Sequence, residues 1–227
     1  LRNGKPALIK KTSEAEVKVS STYIQPTNEQ SFAINEVLKS SSEFKGFLLH
    51  GVTGSGKTEV YLSITEQLLK KGKQVLVLVP EIGLTPQMIS RFEQRIEGQV
   101  VAVHSQLNDT QKQDAYLLAK GGEAKVILGT RSAIFTPIPN LGLVIVDEEH
   151  DNSFKQQSNF RYSARDLSFM RAKLANVPLI LGTATPSLET LKNVIEKKLA
   201  RLTLTSRPGE AIMPSIDLID MRSQPSE

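Results

Sequence analysis

The sequence contains no cysteine, so neither a disulfide nor a thiolate metal site can form within it, and a cytosolic, cytoplasmic protein fits best. No apolar run approaches the roughly 20 residues that a membrane-spanning helix needs, so no membrane association is expected. Residues Leu1 to Lys11 are charged and interrupted by Gly4 and Pro6, unlike a secretory leader. There is no initiator Met, which suggests a piece of something longer, and there are neither internal repeats nor low-complexity tracts. Charge of one sign is also in short supply. Twenty-eight Lys and Arg against 24 Asp and Glu leave +4, which permits a polyanionic partner without demanding one. Aromatics number only twelve, eight Phe and four Tyr, so any cluster of them stands out.

What is present is enough for a globular core: 227 residues, 39% of them hydrophobic, could make one large α/β domain or two small ones. Residues 1–26 are polar, without sustained apolar periodicity, and read as a linker or the end of a preceding region. From Thr27 the pattern becomes regular. A helix is predicted over Asn28 to Lys39, carrying Phe32, Ile34, Val37 and Leu38 at near-helical spacing. Short apolar runs at Phe47–Leu49, Val75–Val79, Val100–Val103, Val126–Leu128, Leu143–Val146 and Leu179–Leu181 are buried-strand candidates. Helical stretches at about 58–71, 85–97, 109–120, 163–175 and 186–197 separate them. Such alternation predicts an α/β fold: a mostly parallel sheet with helices on both faces and ligands at the carboxyl ends of its strands.

The octet Gly51-Val52-Thr53-Gly54-Ser55-Gly56-Lys57-Thr58 fits the phosphate-loop template G-x-x-x-x-G-K-[ST], between an apolar strand and a helix. Glycines allow backbone N–H groups to turn inward around phosphate oxygens, and the following helix adds the positive end of its dipole. Lys57 would neutralise the β- and γ-phosphates, and the Thr58 hydroxyl would ligate Mg²⁺. A second apolar strand, Leu143 to Val146, ends in Asp147-Glu148-Glu149-His150. Carboxylates at a strand tip need a cation, so Asp147 is assigned to magnesium and Glu148 to the attacking water. His150 is expected to link the nucleotide site to neighbouring loops by hydrogen bonds, without acting as a metal ligand. Beyond it, Phe154, Phe160 and Tyr162 interleave with Lys155, Arg161 and Arg165. This mixture can stack bases while following phosphates, or the rings can simply pack the loop down.

The tetrad Asp147 to His150, with Gly182-Thr183-Ala184-Thr185-Pro186-Ser187 after the Leu179–Leu181 strand, resembles the superfamily 2 DNA helicases. Pro80-Glu81-Ile82-Gly83-Leu84-Thr85-Pro86-Gln87, Gly129-Thr130-Arg131-Ser132-Ala133 and the segments Phe154 to Gln157 and Phe160 to Asp166 narrow the likeness to the bacterial primosomal replication-restart helicases. The likeness runs from about Thr27 to Asp220 and implies the RecA-like ATP-binding lobe of a 3′-to-5′ helicase over 27–220. Residues 221–227 would begin a connection to a second lobe. That lobe, which would carry a catalytic arginine and a zinc-binding insertion, and amino-terminal DNA-binding domains are expected outside this sequence.

The resemblance also implies roles for matching positions. Gln30 would read the adenine edge of ATP, although a Gln there also suits a helix cap. Thr85, Thr130 and Arg131 would contact DNA phosphates, with an N-cap the other reading of Thr85 and a surface salt bridge that of Arg131. The aromatic loop would sense single-stranded DNA and relay this to Glu148, and Thr183 and Thr185 would couple nucleotide state to DNA grip. Implied partners are forked and single-stranded DNA, primosome proteins and single-stranded-DNA-binding protein. Two classes of function stand side by side: a motor lobe of a helicase, of this or another superfamily 2 branch, and a nucleotide- and DNA-binding module without turnover of its own.

Overall fold

A computed structural model describes residues 25–96, 99–158 and 160–206. The chain enters through α1 (Asn28–Lys39), started by a capping box in which Thr27 and Gln30 each accept from the other's backbone N–H. Then β1 (Gly46–Gly51), α2 (Lys57–Lys70), β2 (Gln74–Leu78), α3 (Pro86–Arg95), β3 (Gln99–Val103), α4 (Asp109–Gly121), β4 (Ala124–Gly129) and β5 (Leu141–Asp147) follow. A two-residue ladder, β6 (Lys155–Gln156) with β7 (Tyr162–Ser163), precedes α5 (Ala164–Ala175), β8 (Leu179–Thr183), α6 (Leu188–Ile195) and β9 (Ala200–Leu204).

Seven strands form one sheet in the order β3-β4-β2-β5-β8-β1-β9, and every neighbouring pair is parallel. The six predicted strands and six predicted helices are all present, with ends shifted by a few residues. Besides the short β6–β7 ladder, β9 is the strand that no apolar run announced. It lies at the sheet edge, where Leu202 and Leu204 point in and Arg201 and Thr203 point out. Half-buried strands alternate instead of forming continuous apolar runs.

Central strands are covered on both sides, and the pleat divides them between two apolar clusters. Val75, Val77 and Val79 join Ile34, Val37, Tyr61, Ile64 and Leu68 on one face, whereas Leu76 and Leu78 join Ala115, Ala119, Phe154 and Ala172 on the other. Fully burying each large aliphatic side chain contributes about 1.5–3 kcal/mol. Of the apolar residues predicted for α1, Ile34 and Val37 are buried but Phe32 is exposed; Ala33 and Gln30 take the inner positions. No helix among the described residues is long and apolar enough to cross a membrane.

Strand order is what builds the site. β8 lies between the phosphate-loop strand β1 and the acidic strand β5, with Thr183 opposite His50 and Gly182 opposite Asp147. Three chemically distinct loops therefore leave adjacent strands at the same carboxyl edge.

Candidate nucleotide site

The phosphate loop turns at Gly54 (φ 81°) and Gly56 (φ 82°), a left-handed conformation that side-chain-bearing residues adopt at a cost. α2 then starts at Lys57 with no side-chain cap, so its first N–H groups point into the loop. Lys57 is buried; its Nζ donates to Gly51 O at 3.0 Å and lies 3.6 Å from Glu148 Oε1. Among the described residues the buried Ser55 hydroxyl has no hydrogen-bond partner. An unsatisfied donor, free helix-start amides and a buried ammonium suit an oxyanion of the phosphate kind. The residues present therefore fit a nucleoside triphosphate. Thr53, on the outer turn of the loop, is exposed.

Gln30 holds the loop from behind. Its Oε1 accepts from Thr27 N at 2.9 Å and its Nε2 donates to Ser55 O at 3.0 Å. The side chain is thus both a cap for α1 and a strut for the phosphate loop.

Asp147 ends β5, where the buried Tyr61 hydroxyl donates to its Oδ1 at 2.9 Å. Burial pushes the Asp147 carboxyl above its ordinary value, against that hydrogen bond and despite Lys57, with the Glu148 charge adding to the rise. Tyr61 itself is pushed well up by burial and by the Asp147 charge. A divalent cation would relieve a carboxylate in this setting. Among the described residues no group of three or more His, Cys, Asp or Glu side chains could hold a metal ion. Gly182 is needed for this arrangement, since a Cβ there would overlap the Tyr61 hydroxyl.

Glu148 adopts φ 47°, in the left-handed region that a non-glycine residue enters at a cost of about 1–2 kcal/mol. That turn aims its carboxylate at both Lys57 and His150, 3.7 Å from the latter's Nδ1. His150 Nδ1 also meets Thr183 Oγ1 at 2.8 Å, and Thr185 N donates to the same hydroxyl. These contacts run from Glu148 through His150 to the Gly182–Ser187 loop. Pro186 lies just before the helix; Ser187 is the N-cap of α6.

Glu149 carries no role in the sequence reading, yet it is only 2% exposed. Its Oε1 accepts from Ser187 N at 2.8 Å, and its Oε2 from Thr190 Oγ1 at 2.9 Å and Arg165 Nη1 at 3.3 Å. Arg165 is thereby drawn inward, within 3.1 Å of Asp166 and 3.8 Å of Glu189, and does not stand free as a phosphate contact. His50 is a second unpredicted participant. Arg201 donates to its Nδ1 at 2.6 Å, which leaves Nε2–H to donate to Ala184 O at 3.3 Å and ties the Gly182–Ser187 loop to β1 and β9.

The remaining expected DNA contacts divide. Thr85 caps α3 by accepting from Met88 N at 3.2 Å, with Pro86 in the first helical position. Thr130 is buried and its N–H is held by Val103 O. Arg131 Nη1 donates to Ser153 O at 3.0 Å and Lys155 O at 3.1 Å, so it fastens the aromatic loop instead of forming a surface salt bridge. Phe154 is 1% exposed: the turn capped by Asp151 drives its ring into the core, away from any base. Lys155, Phe160 and Arg161 are exposed, Tyr162 half-buried.

The family model for DEAD/DEAH box helicases matches residues 27–194, most of the chain. The chain belongs to the DEAD/DEAH box helicase family. This helicase-family chain is 47% identical over 196 residues to the replication restart protein PriA of Haemophilus influenzae, covering 86% of itself and 27% of that protein. It is 44% identical over 200 residues to PriA of Bacillus subtilis, covering 87% and 25%. The chain thus spans about a quarter of the length of these relatives. In fold it is similar to RecG in a structure bound to a three-way DNA junction, at TM-score 0.61 and 22% identity, covering 83% of this chain and 25% of that one. The MrfA helicase bound to DNA follows at TM-score 0.59 and 14% identity, covering 83% and 27%. The RecA-like helicase architecture and the predicted likeness to replication-restart proteins are both found.

Proposed function

We propose that this chain is the ATP-binding motor lobe of a 3′-to-5′ DNA helicase that acts at stalled or collapsed replication forks. There it would serve primosome assembly and replication restart, coupling ATP hydrolysis to movement along single-stranded DNA. The observation that carries the proposal is the insertion of β8 between β1 and β5: hydrogen bonds join the acids to the Gly182–Ser187 loop, and the phosphate-loop Lys57 lies 3.6 Å from Glu148. The 44–47% identity to PriA proteins supports the restart role.

Mg-ATP, when bound, supplies the phosphoryl bond whose hydrolysis drives movement. Lys57 neutralises phosphate charge, Thr58 and Asp147 hold the cation, and Glu148 orients and deprotonates water. Gln30 strengthens the preference for ATP, and Glu149 and His150 transmit changes at the acids to Thr183, Thr185 and Ser187. Lys155 and Arg161 track phosphates, while Thr85 and Arg131 support the loops beside them. Partners are forked and single-stranded DNA, with primosome proteins and single-stranded-DNA-binding protein at the whole-protein level; zinc belongs to other parts of such proteins.

An arginine supplied across the cleft between helicase lobes is worth ~10³-fold or more in rate. The chain alone is therefore expected to turn over slowly. The test is steady-state ATP hydrolysis by the 227-residue chain, with and without forked DNA, beside Lys57→Ala. Turnover close to that of Lys57→Ala, with nucleotide still bound, fits a motor lobe that needs a second one. Robust DNA-stimulated turnover would overturn that dependence.

A further inference from the structure

The aromatic residues of the loop after Asp147 do not stand alone at the carboxyl edge. Phe135, on the separate segment that follows β4, packs edge-on against Tyr162 with centroids 5.1 Å apart and planes at 68°. Phe160 lies on the other side of Tyr162, at 5.8 Å and 37°. Phe135 is 51% exposed and Phe160 72%, so three rings from two loops make one accessible apolar surface.

The backbone holds Phe135 out deliberately. Its neighbours Ile134 and Thr136 are buried, and the Arg171 guanidinium donates to the carbonyls of both, one on each side of Phe135. Arg131, at the start of the same 3-10 turn (Arg131–Phe135), fastens it to the partner loop through Ser153 O and Lys155 O. A ring fixed in this way loses little freedom when something stacks on it. Exposed Lys155 and Arg161 flank the rings on the partner loop, giving the positive charge that a phosphate backbone requires.

We propose that Phe135, with Tyr162 and Phe160, forms a stacking platform for the unpaired bases of single-stranded DNA, and that Phe135 contributes a base contact of its own. Aromatic faces beside cations are the sequence-tolerant way to hold single strands, because every base has a π-face. This rests on the DNA-motor reading above and adds to it a residue outside the loop on which that reading relies.

The test is fluorescence anisotropy of a labelled oligothymidylate, and of a strand of equal length with abasic sites replacing its bases, titrated with the 227-residue chain. Phe135→Leu keeps apolar bulk against Tyr162 but has no π-face. It should weaken oligothymidylate binding by roughly 5- to 100-fold, the worth of one stacked base. On the abasic strand Phe135→Leu and the unchanged chain should bind alike, and Phe135→Tyr should bind oligothymidylate as the unchanged chain does. Unaltered binding of oligothymidylate by Phe135→Leu, or equal losses on both strands, overturns the platform while leaving the DNA reading intact. If the unchanged chain binds neither strand, the DNA reading itself falls and the platform with it. Equal affinity of both phenylalanine variants for a fluorescent ATP analogue controls for folding; if Phe135→Leu is misfolded, weakened binding by Phe135→Tyr, which keeps the ring, overturns the proposal.

Discussion

Replacing Glu149 by Gln changes almost no volume and no shape, yet in either orientation the amide NH₂ meets one group that can only donate. The Oε1 position faces Ser187 N–H at 2.8 Å, and the Oε2 position faces Arg165 Nη1 at 3.3 Å. Neither of these two can accept a hydrogen bond; with the NH₂ at the Oε2 position the Ser187 and Thr190 hydroxyls, at 3.1 and 2.9 Å, can turn to accept, so the better orientation still loses the Arg165 bond. The loss of one buried, charge-assisted hydrogen bond is about 1.5–3 kcal/mol. Arg165 also loses its buried counter-charge, although Asp166 at 3.1 Å and Glu189 at 3.8 Å remain to offset part of this. The expected destabilisation is therefore about 2–4 kcal/mol, with the upper end near the range for breaking a buried ion pair. Urea unfolding followed by circular dichroism measures it as a lower midpoint at constant slope. Arg165→Met should cost less in the Glu149→Gln background than alone, because the two residues share one interaction. A Glu149→Gln change within about 0.5 kcal/mol of the unchanged chain, the range of ordinary surface substitutions, would refute the reasoning.

Other outcomes follow from the same geometry. The Asp147 carboxyl is raised by burial, so its contribution to stability is full below the unfolded-state value and is lost as pH rises through the folded one. Asp147→Asn should therefore match the unchanged chain in acid and exceed it in stability at neutral pH without Mg²⁺, measured by thermal unfolding across pH; a lower neutral stability would contradict the burial argument. Arg131→Ala removes both bonds to the aromatic loop, so trypsin should cut after Lys155 and Arg161 faster, with global unfolding shifted by no more than about 1–2 kcal/mol. An unchanged cleavage rate would show that the loop is held by its own packing.

The parts of the fold that were legible are those with a local cause. Val75 to Val79 and Leu143 to Val146 are continuous apolar runs because their strands are buried on both faces, and the phosphate loop is written in contiguous residues whose chemistry is local. β9 was missed because an edge strand alternates. Glu149 was passed over because its partners, Arg165, Ser187 and Thr190, lie 16 to 41 residues away, and only the insertion of β8 beside β5 brings them together. The same distance hid the contacts of His50 with Arg201 and Ala184 and of Phe135 with Tyr162. Phe154 went the other way: its position among cations suggested a base contact, but hydrophobic burial claimed it, since an interleaved loop must still anchor to the domain. Arg165 was similarly drawn into an internal network by a carboxylate that sequence spacing could not reveal.

The central claim is that Gly51 to Thr58 and Asp147 together hold Mg-ATP. It is tested most directly by titrating a fluorescent ATP analogue into the chain and into Lys57→Ala, each with and without Mg²⁺. Loss of charge-assisted bonds worth about 1.5–3 kcal/mol should weaken binding roughly 10- to 100-fold in Lys57→Ala, and removal of Mg²⁺ should weaken binding by the unchanged chain. Equal affinities for the two proteins, indifferent to Mg²⁺, would contradict the account.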